Sequence, residues 1–342
     1  MGYNEDIILA TKAYLPWEKI QNKNILVTGA TGLIGSCIID ILMNLPNQNF
    51  NLYALGRNKE RADKLFKDYK NNVNFKFIQH DINIPLHQKN DFHYIIAAAS
   101  GANPIEYSKN PVGVMKTNII GLDNLFQYGI KHSLEKLVYI SSGDVYGEGD
   151  GRVFTEEYSG YINPLNPRSC YNTAKRAAES LCVSYSNQFG INVSIARPCH
   201  TYGPHFTELD TRVFAQLIKN AVINGELILK SKGDQFRSWS YVVNCSLAIL
   251  YILFKGENCE AYNIADDDSN ITIKELAEII AQLENIKIKF ELPNEIEIKG
   301  FNTITKSIFS TDKLKSLGWS SCSNIVENLK STINEFRDSN NS

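Results

Sequence analysis

Three glycines, Gly29, Gly32 and Gly35, stand at three-residue steps between the apolar run NILVT (24–28) and a stretch whose apolar residues recur with helical period. That stripe is Ile34, Cys37, Ile38, Ile41, Leu42 and Leu45. A buried strand that turns at once into an amphipathic helix leads to a parallel neighbour, because the helix crosses back over the sheet. Further short β-branched and aromatic runs follow: NLYAL (51–55), NFKFI (74–78), HYIIAAA (93–99), KLVYIS (136–141) and NVSIAR (192–197). A second helical stripe, Val114, Ile119, Leu122, Leu125 and Phe126, lies between two of them. This alternation predicts an α/β chain whose ligand site lies beyond the carboxyl ends of the strands.

The architecture expected is a doubly wound parallel Rossmann sheet with a smaller, mixed α/β carboxyl-terminal substrate domain. After residue 198 shorter helices (212–223, 242–255, 272–284, 324–336) mix with short strands and acidic turns such as Asp266, Asp267 and Asp268. Residues 1–198 with 236–258 are assigned to the dinucleotide-binding domain, and 199–235 with 259–342 to the second. No internal repeat and no long Pro/Gly linker separates them, so a shared cleft is expected.

Composition excludes several classes. An apolar fraction of 43% and a charged fraction of 21% in 342 residues exclude disorder, collagen and coiled coil. No run approaches the roughly 18 apolar residues of a membrane span, and the start lacks a basic region before an apolar core, so neither membrane nor export is expected. A balance of 35 basic and 37 acidic residues recruits no nucleic acid. Seven cysteines without a C-x-x-C pair fit reduced thiols in a cytoplasm and no metal site.

The glycine loop is suited to a dinucleotide. One glycine permits the turn, one lets the backbone approach a pyrophosphate, and one lets helix and strand pack closely, so that the anion meets free N–H groups of Gly29, Thr31, Gly32, Leu33, Ile34 and Gly35. A site selective for NAD carries Asp or Glu about 20 residues further on, to hold the ribose 2′-hydroxyl. Here the chain reads Gly56-Arg57-Asn58. A guanidinium without a carboxylate suits a 2′-phosphate, so NADP is expected, with NAD still possible. The other reading of Arg57 is a surface side chain paired with Glu60. Asp81, followed by Ile82, is placed to accept from the adenine amino group.

Tyr171 and Lys175 lie one helical turn apart on an Ala-rich stretch. A nearby ammonium favours phenolate, which brings a tyrosine toward the range of a general acid/base. Tyr171 then exchanges a proton with a carbinol oxygen while a nicotinamide exchanges hydride with its carbon. Ser142, directly after KLVYIS, is placed to bond the same oxygen; its alternative role is a backbone cap.

GATGLIG, SSGDVYG, YNTAK, RPCHTYGP and FRSWSYV, in this order across 24–264, make the chain resemble the extended short-chain dehydrogenase/reductase family of nucleotide-sugar epimerases, dehydratases, decarboxylases and reductases. The resemblance implies a nucleoside-diphosphate sugar as substrate, a homodimer packed through two helices, Lys175 on the nicotinamide ribose, and Arg237 as a diphosphate clamp helped by Arg212. PRSCYNTAKRAAES and TRVFAQLIKNAVINGELIL look most like UDP-glucuronate decarboxylases. Dehydratases of the family carry Asp-Glu after the serine and decarboxylases Ser-Glu; this chain has Gly143-Asp144. His200 stands where the decarboxylase pattern has Asn.

Asp144 and His200 are candidate substrate contacts, with a turn aspartate and a structural histidine as the alternatives; surface salt bridges are the alternatives for Arg212 and Arg237. Glycine cannot donate a proton, and Arg57 suits NADPH, so the leading expectation is a reductase acting on a keto sugar or a cytidine-diphosphate-linked ketose. The rivals are a redox-neutral decarboxylase or C4 epimerase that recycles its nicotinamide, and a silent nucleotide-binding module. Cys170 is expected to pack and not to react.

Overall fold

The computed structural model describes residues 2–101, 104–206, 210–229, 231–291 and 306–341. Its centre is a seven-stranded sheet formed by β1 (Asn24–Thr28), β2 (Asn51–Gly56), β3 (Phe75–Gln79), β4 (Tyr94–Ala97), β5 (Lys136–Ile140), β6 (Val193–Pro198) and a last strand, Ala261–Ile264. The spatial order runs from the last strand through β6, β5, β4 and β1 to β2 and β3, and every pairing is parallel. The direction of chain progression reverses between β1 and β4, the switch point at which such sheets open a ligand crevice.

The last strand corrects the expected domain division. Residues 261–264 pair with Ile195–Pro198 of the first sheet although the sequence assigned them to the second domain. The segment AYNI is short and carries a buried asparagine, so its pattern does not distinguish it from the short strands around it.

Helices cover both faces: α1 (Tyr3–Thr11), α2 (Leu33–Met43), α3 (Lys59–Leu65), α4 (Pro104–Lys109), α5 (Pro111–Lys131) and α6 (Cys170–Phe189). Leu26, Ile95, Leu137 and Ile195 pack with Leu122, Phe126 and Cys182 on one face. Ile25, Val27, Ile96 and Val138 pack with Ile38, Ile41 and the apolar helix Val242–Lys255 on the other. Burial on both faces explains why these strands read as continuous apolar runs.

The remaining elements build a cap beyond the carboxyl ends. Here β7 (His200–Tyr202), β8 (Leu227–Leu229), β9 (Phe236–Tyr241), β11 (Asn270–Thr272), β12 (Ile288–Phe290) and β13 (Lys306–Ser307) combine with α7 (Val213–Lys219) and α9 (Ile273–Glu284), while the chain between them returns to the large sheet as α8 (Val242–Lys255) and β10 (the strand Ala261–Ile264). β9 pairs with β7, β11 and β13 in a small mixed sheet. β9 leads directly into α8, which packs on the large sheet, so cap and sheet share one core. Among the described residues no helix is long and apolar enough to cross a membrane.

Candidate active site

The turn after β1 behaves as its glycines require. Gly29 adopts φ +62°, and a Cβ there would lie 2.7 Å from the Ala98 backbone of β4's end. A Cβ on Gly35 would stand 2.4 Å from the Gly29 carbonyl oxygen, so only glycine lets α2 start this close to the strand. Gly32 is exposed and its absent Cβ would meet only the Gly29 oxygen, at 3.2 Å. No side chain caps α2, which leaves the first-turn N–H groups around Leu33 and Ile34 available to an anion. Thr31 lends its carbonyl to Arg61 Nε at 2.9 Å. This open, donor-lined turn fits a dinucleotide pyrophosphate.

Arg57 is exposed, and its guanidinium has no partner among the described residues; the pairing with Glu60 does not form. Arg61, which sequence reasoning passed over, lies nearer the loop and also donates to the His205 carbonyl at 2.7 Å. Asp81 uses one carboxylate oxygen in its own turn, accepting from Asn83 N at 3.0 Å and Asn83 Nδ2 at 2.9 Å. Ile82 is buried against α5, where a Cβ on Gly121 would touch it at 2.5 Å.

Beyond β4 and β5 the structure brings Ser142, Tyr171 and Lys175 together. The Tyr171 hydroxyl shares hydrogen bonds with Ser142 and Ser100, and its ring stacks on Tyr107 at 4.8 Å. Ser142 takes up its alternative role as a backbone cap, since Oγ also accepts from Asp144 N at 3.2 Å. Lys175 Nζ donates to the Ile140 carbonyl at 2.7 Å and sits 4.7 Å from the Tyr139 ring centre and 5.6 Å from that of Tyr171.

The electrostatics depart from expectation at one point. Tyr171 was expected to fall in pKa beside an ammonium; instead burial, with the Asp144 charge adding to it, holds it well above the ordinary phenol value. Ser142, Arg212 and Ser100 oppose that rise without cancelling it. Lys175 is itself 1% exposed, and burial pulls its pKa down to about 7 against the opposing pull of Glu179. A lysine so desolvated carries its full charge only on the acidic side of neutrality.

The four candidate substrate contacts gather on the cap side. Asp144 is open to a water-sized sphere, yet the walls around it desolvate the carboxylate and raise its pKa, with Arg237 and Lys175 opposing. Arg237, on β9, is 8% exposed; its Nη1 donates to His200 Nε2 at 3.1 Å and its buried Nε has no partner. No carboxylate forms a salt bridge with Arg237 among the described residues, and the Asp144 charge acts on it without a direct bond. His200 is neutral, pushed down to about 3 by burial first and then by the charges of Arg237 and Arg212. Arg212 takes up the salt bridge that was its alternative role, with Nε at 3.0 Å and Nη2 at 2.5 Å from the Asp210 carboxylate. Its charge still acts on Tyr171 and Tyr107.

Behind this surface lies a network the sequence did not announce. Glu179 accepts from Ser141 at 2.5 Å and pairs bidentately with Arg197, at 3.0 and 2.6 Å. Arg197 donates on to the Tyr146 hydroxyl at 3.1 Å. Asn118, 1% exposed, joins Ser100 at 3.1 Å and the Tyr139 hydroxyl at 3.2 Å. Its one signal in the sequence is a polar residue within the buried stripe of α5. Cys170 is buried, donates weakly to the Tyr107 carbonyl, and has its thiol pKa raised by burial, which fits packing.

Residues 25–265 match the model of the NAD dependent epimerase/dehydratase family. The chain belongs to that family. Among its relatives, UDP-glucuronic acid decarboxylase 6 of Arabidopsis thaliana is 35% identical over 77% of this chain and 74% of its own. UDP-glucuronic acid decarboxylase 1 of Xenopus tropicalis is 31% identical over 96% of this chain and 76% of its own. The family fold also recurs in solved structures. The Thermotoga maritima UDP-glucose 4-epimerase with UDP-glucose superposes with a TM-score of 0.78 at 24% identity, covering 92% of this chain and 99% of the other. The Bacillus anthracis dTDP-glucose 4,6-dehydratase with NAD gives 0.78 at 22% identity over 92% and 97%. This family member is therefore an enzyme-fold protein of the nucleotide-sugar epimerase/dehydratase class, with a nicotinamide coenzyme as its expected companion.

Proposed function

We propose that this protein reduces a ketone on a nucleoside-diphosphate-linked sugar, with NADPH preferred over NADH. The convergence of Ser142, Tyr171 and Lys175 beyond the strand ends carries the reading. A nicotinamide coenzyme supplies the hydride. Gly29, Thr31, Gly32, Leu33, Ile34 and Gly35 hold its pyrophosphate, Asp81 and Ile82 border the adenine, and the unpartnered Arg57 faces the 2′-phosphate. Lys175 holds the nicotinamide ribose.

At the sugar, Ser142 and Tyr171 donate to the carbonyl oxygen, and the Tyr171 proton passes to that oxygen as the carbon gains hydride. A phenol held above its ordinary pKa keeps that proton at neutral pH, as a donor in reduction must. Arg237, oriented by neutral His200 and helped by Arg212, clamps the diphosphate; Asp144 takes a sugar hydroxyl. A homodimer in the cytoplasm belongs to the same proposal.

A second reading has specific support: the relatives named above are decarboxylases, whose reaction leaves the nicotinamide unchanged overall. Recording the reduced-nicotinamide absorbance band during incubation with candidate nucleotide sugars separates the two. Stoichiometric loss of NADPH supports reduction; product formed with a flat trace supports the recycling decarboxylase or epimerase.

A further inference from the structure

Gly143 lies between Ser142 and Asp144, and the structure supplies a reason for the glycine that the turn itself does not. Its φ is not positive, so the backbone there accepts any residue. A Cβ on Gly143, however, would stand 2.0 Å from Cζ and 2.6 Å from Cε2 of Phe309. The ring of a residue far along the chain occupies the place that a side chain after Ser142 would need.

Phe309 cannot easily give way. It is 6% exposed, and its ring meets Tyr146 edge-on at 5.4 Å and Phe154 at 5.8 Å. Its backbone N–H donates to Ser238 Oγ at 3.0 Å, next to Arg237. The flanking residues are tied to Phe154, whose N–H donates to the Ile308 carbonyl at 2.7 Å and whose carbonyl accepts from Ser310 at 2.9 Å. β13, just before it, pairs Ser307 with Arg237. An aromatic wall is thus anchored to the same strand that carries the buried arginine, and it ends between the serine and the carboxylate of the site.

We propose that Phe309 is a specificity-determining residue: it makes the corner beside Ser142 apolar and selects a sugar whose exocyclic group next to the ketone is a methyl, in place of a hydroxymethyl or a carboxylate. The inference rests on the nucleotide-sugar reading above. A ketone held by Ser142 and Tyr171 sets its flanking ring carbons against that corner, and the exocyclic carbon is the bulkiest group they carry. A carboxylate brought against a phenyl ring and a glycine, with no donor between them among the described residues, loses hydration without return, whereas a methyl fits. The substrate class is a 6-deoxy keto sugar. Such a sugar arises by elimination of water from a hexose, which the reduction of a ketone does not accomplish, so a separate dehydrating enzyme must supply it.

Calorimetric titration tests this. Uridine, thymidine, cytidine and guanosine diphosphates identify the base, and its 6-deoxyglucose, glucose and glucuronate esters are then compared. Wild-type protein is expected to bind the 6-deoxy ester about ten-fold tighter than the glucose ester and the glucuronate ester weakest of the three. Phe309→Ala is expected to compress the three affinities to within about three-fold while the bare nucleoside diphosphate binds as before, and Phe309→Leu to keep the wild-type order. If Phe309→Ala does not fold, Phe309→Val serves, and a spread equal to wild type in it overturns the proposal. Equal or tighter binding of the glucuronate ester to wild type overturns it also. Binding of none of the four diphosphates removes the nucleotide-sugar reading and this inference with it.

Discussion

Replacing Lys175 by methionine is expected to stabilise the nucleotide-free protein at acidic pH while removing its activity. The side chain is 1% exposed, and burial lowers its pKa from the ordinary 10.5 to about 7. A gap of roughly three units, at 1.36 kcal/mol each, is on the order of 4 kcal/mol spent on keeping an ammonium desolvated. Removing it leaves the Ile140 carbonyl, now bonded at 2.7 Å, without its donor, which costs about 1–3 kcal/mol. Methionine of similar length refills the space, so a net gain of about 1–3 kcal/mol is expected at pH 6.

The pH dependence is the sharper signature. Above pH 7 the folded lysine releases its proton while the unfolded chain keeps its own until about pH 10, so the unfolded state holds more protons and the lysine's contribution to stability rises with pH. The advantage of Lys175→Met should therefore shrink by about 2.5 kcal/mol between pH 6 and pH 9. Denaturant unfolding of both proteins at the two pH values measures it. A variant less stable than wild type at pH 6, or a difference that does not narrow toward pH 9, refutes the desolvation argument.

Arg57→Ala should weaken NADPH binding by about 10–100-fold through loss of charge-assisted bonds to the 2′-phosphate, with NADH affinity unchanged, as read by fluorescence titration. Equal losses for the two coenzymes would place Arg57 elsewhere. Arg197→Ala leaves Glu179 charged and buried, so unfolding measurements should show a loss of about 3–5 kcal/mol. With His200 held neutral down to about pH 3, His200→Gln should leave the shape of the pH profile of nucleoside-diphosphate affinity between pH 5 and pH 8 as in wild type. A step near pH 6 in calorimetric titration that the variant loses would show that His200 takes up a proton on binding.

The legible part of this molecule is local. Six strands, the glycine turn and the Tyr171–Lys175 pair are each specified within a few residues, by period or by spacing, and they appear within a residue or two of their expected places. The illegible part is assembled across the chain. Ser100 and Tyr107 reach Tyr171 from the stretch between β4 and α5, and Asn118 on α5 holds Ser100. Phe309 fills the space over Gly143 from a segment far along the chain. Nothing in a one-dimensional pattern records such neighbours. The direction of the tyrosine shift was misread for a related reason. Spacing puts a cation beside a phenol, but only the packed structure shows that both are desolvated and that the ammonium is turned to the Ile140 carbonyl.

Tyr171 carries the proposed proton transfer. Turnover of the active nucleotide sugar by Tyr171→Phe, measured beside coenzyme affinity in the same preparation, is expected to fall by at least about a thousand-fold while the coenzyme binds as in wild type. Turnover within a few-fold of wild type would contradict the proton-transfer role and, with it, the reading of the site.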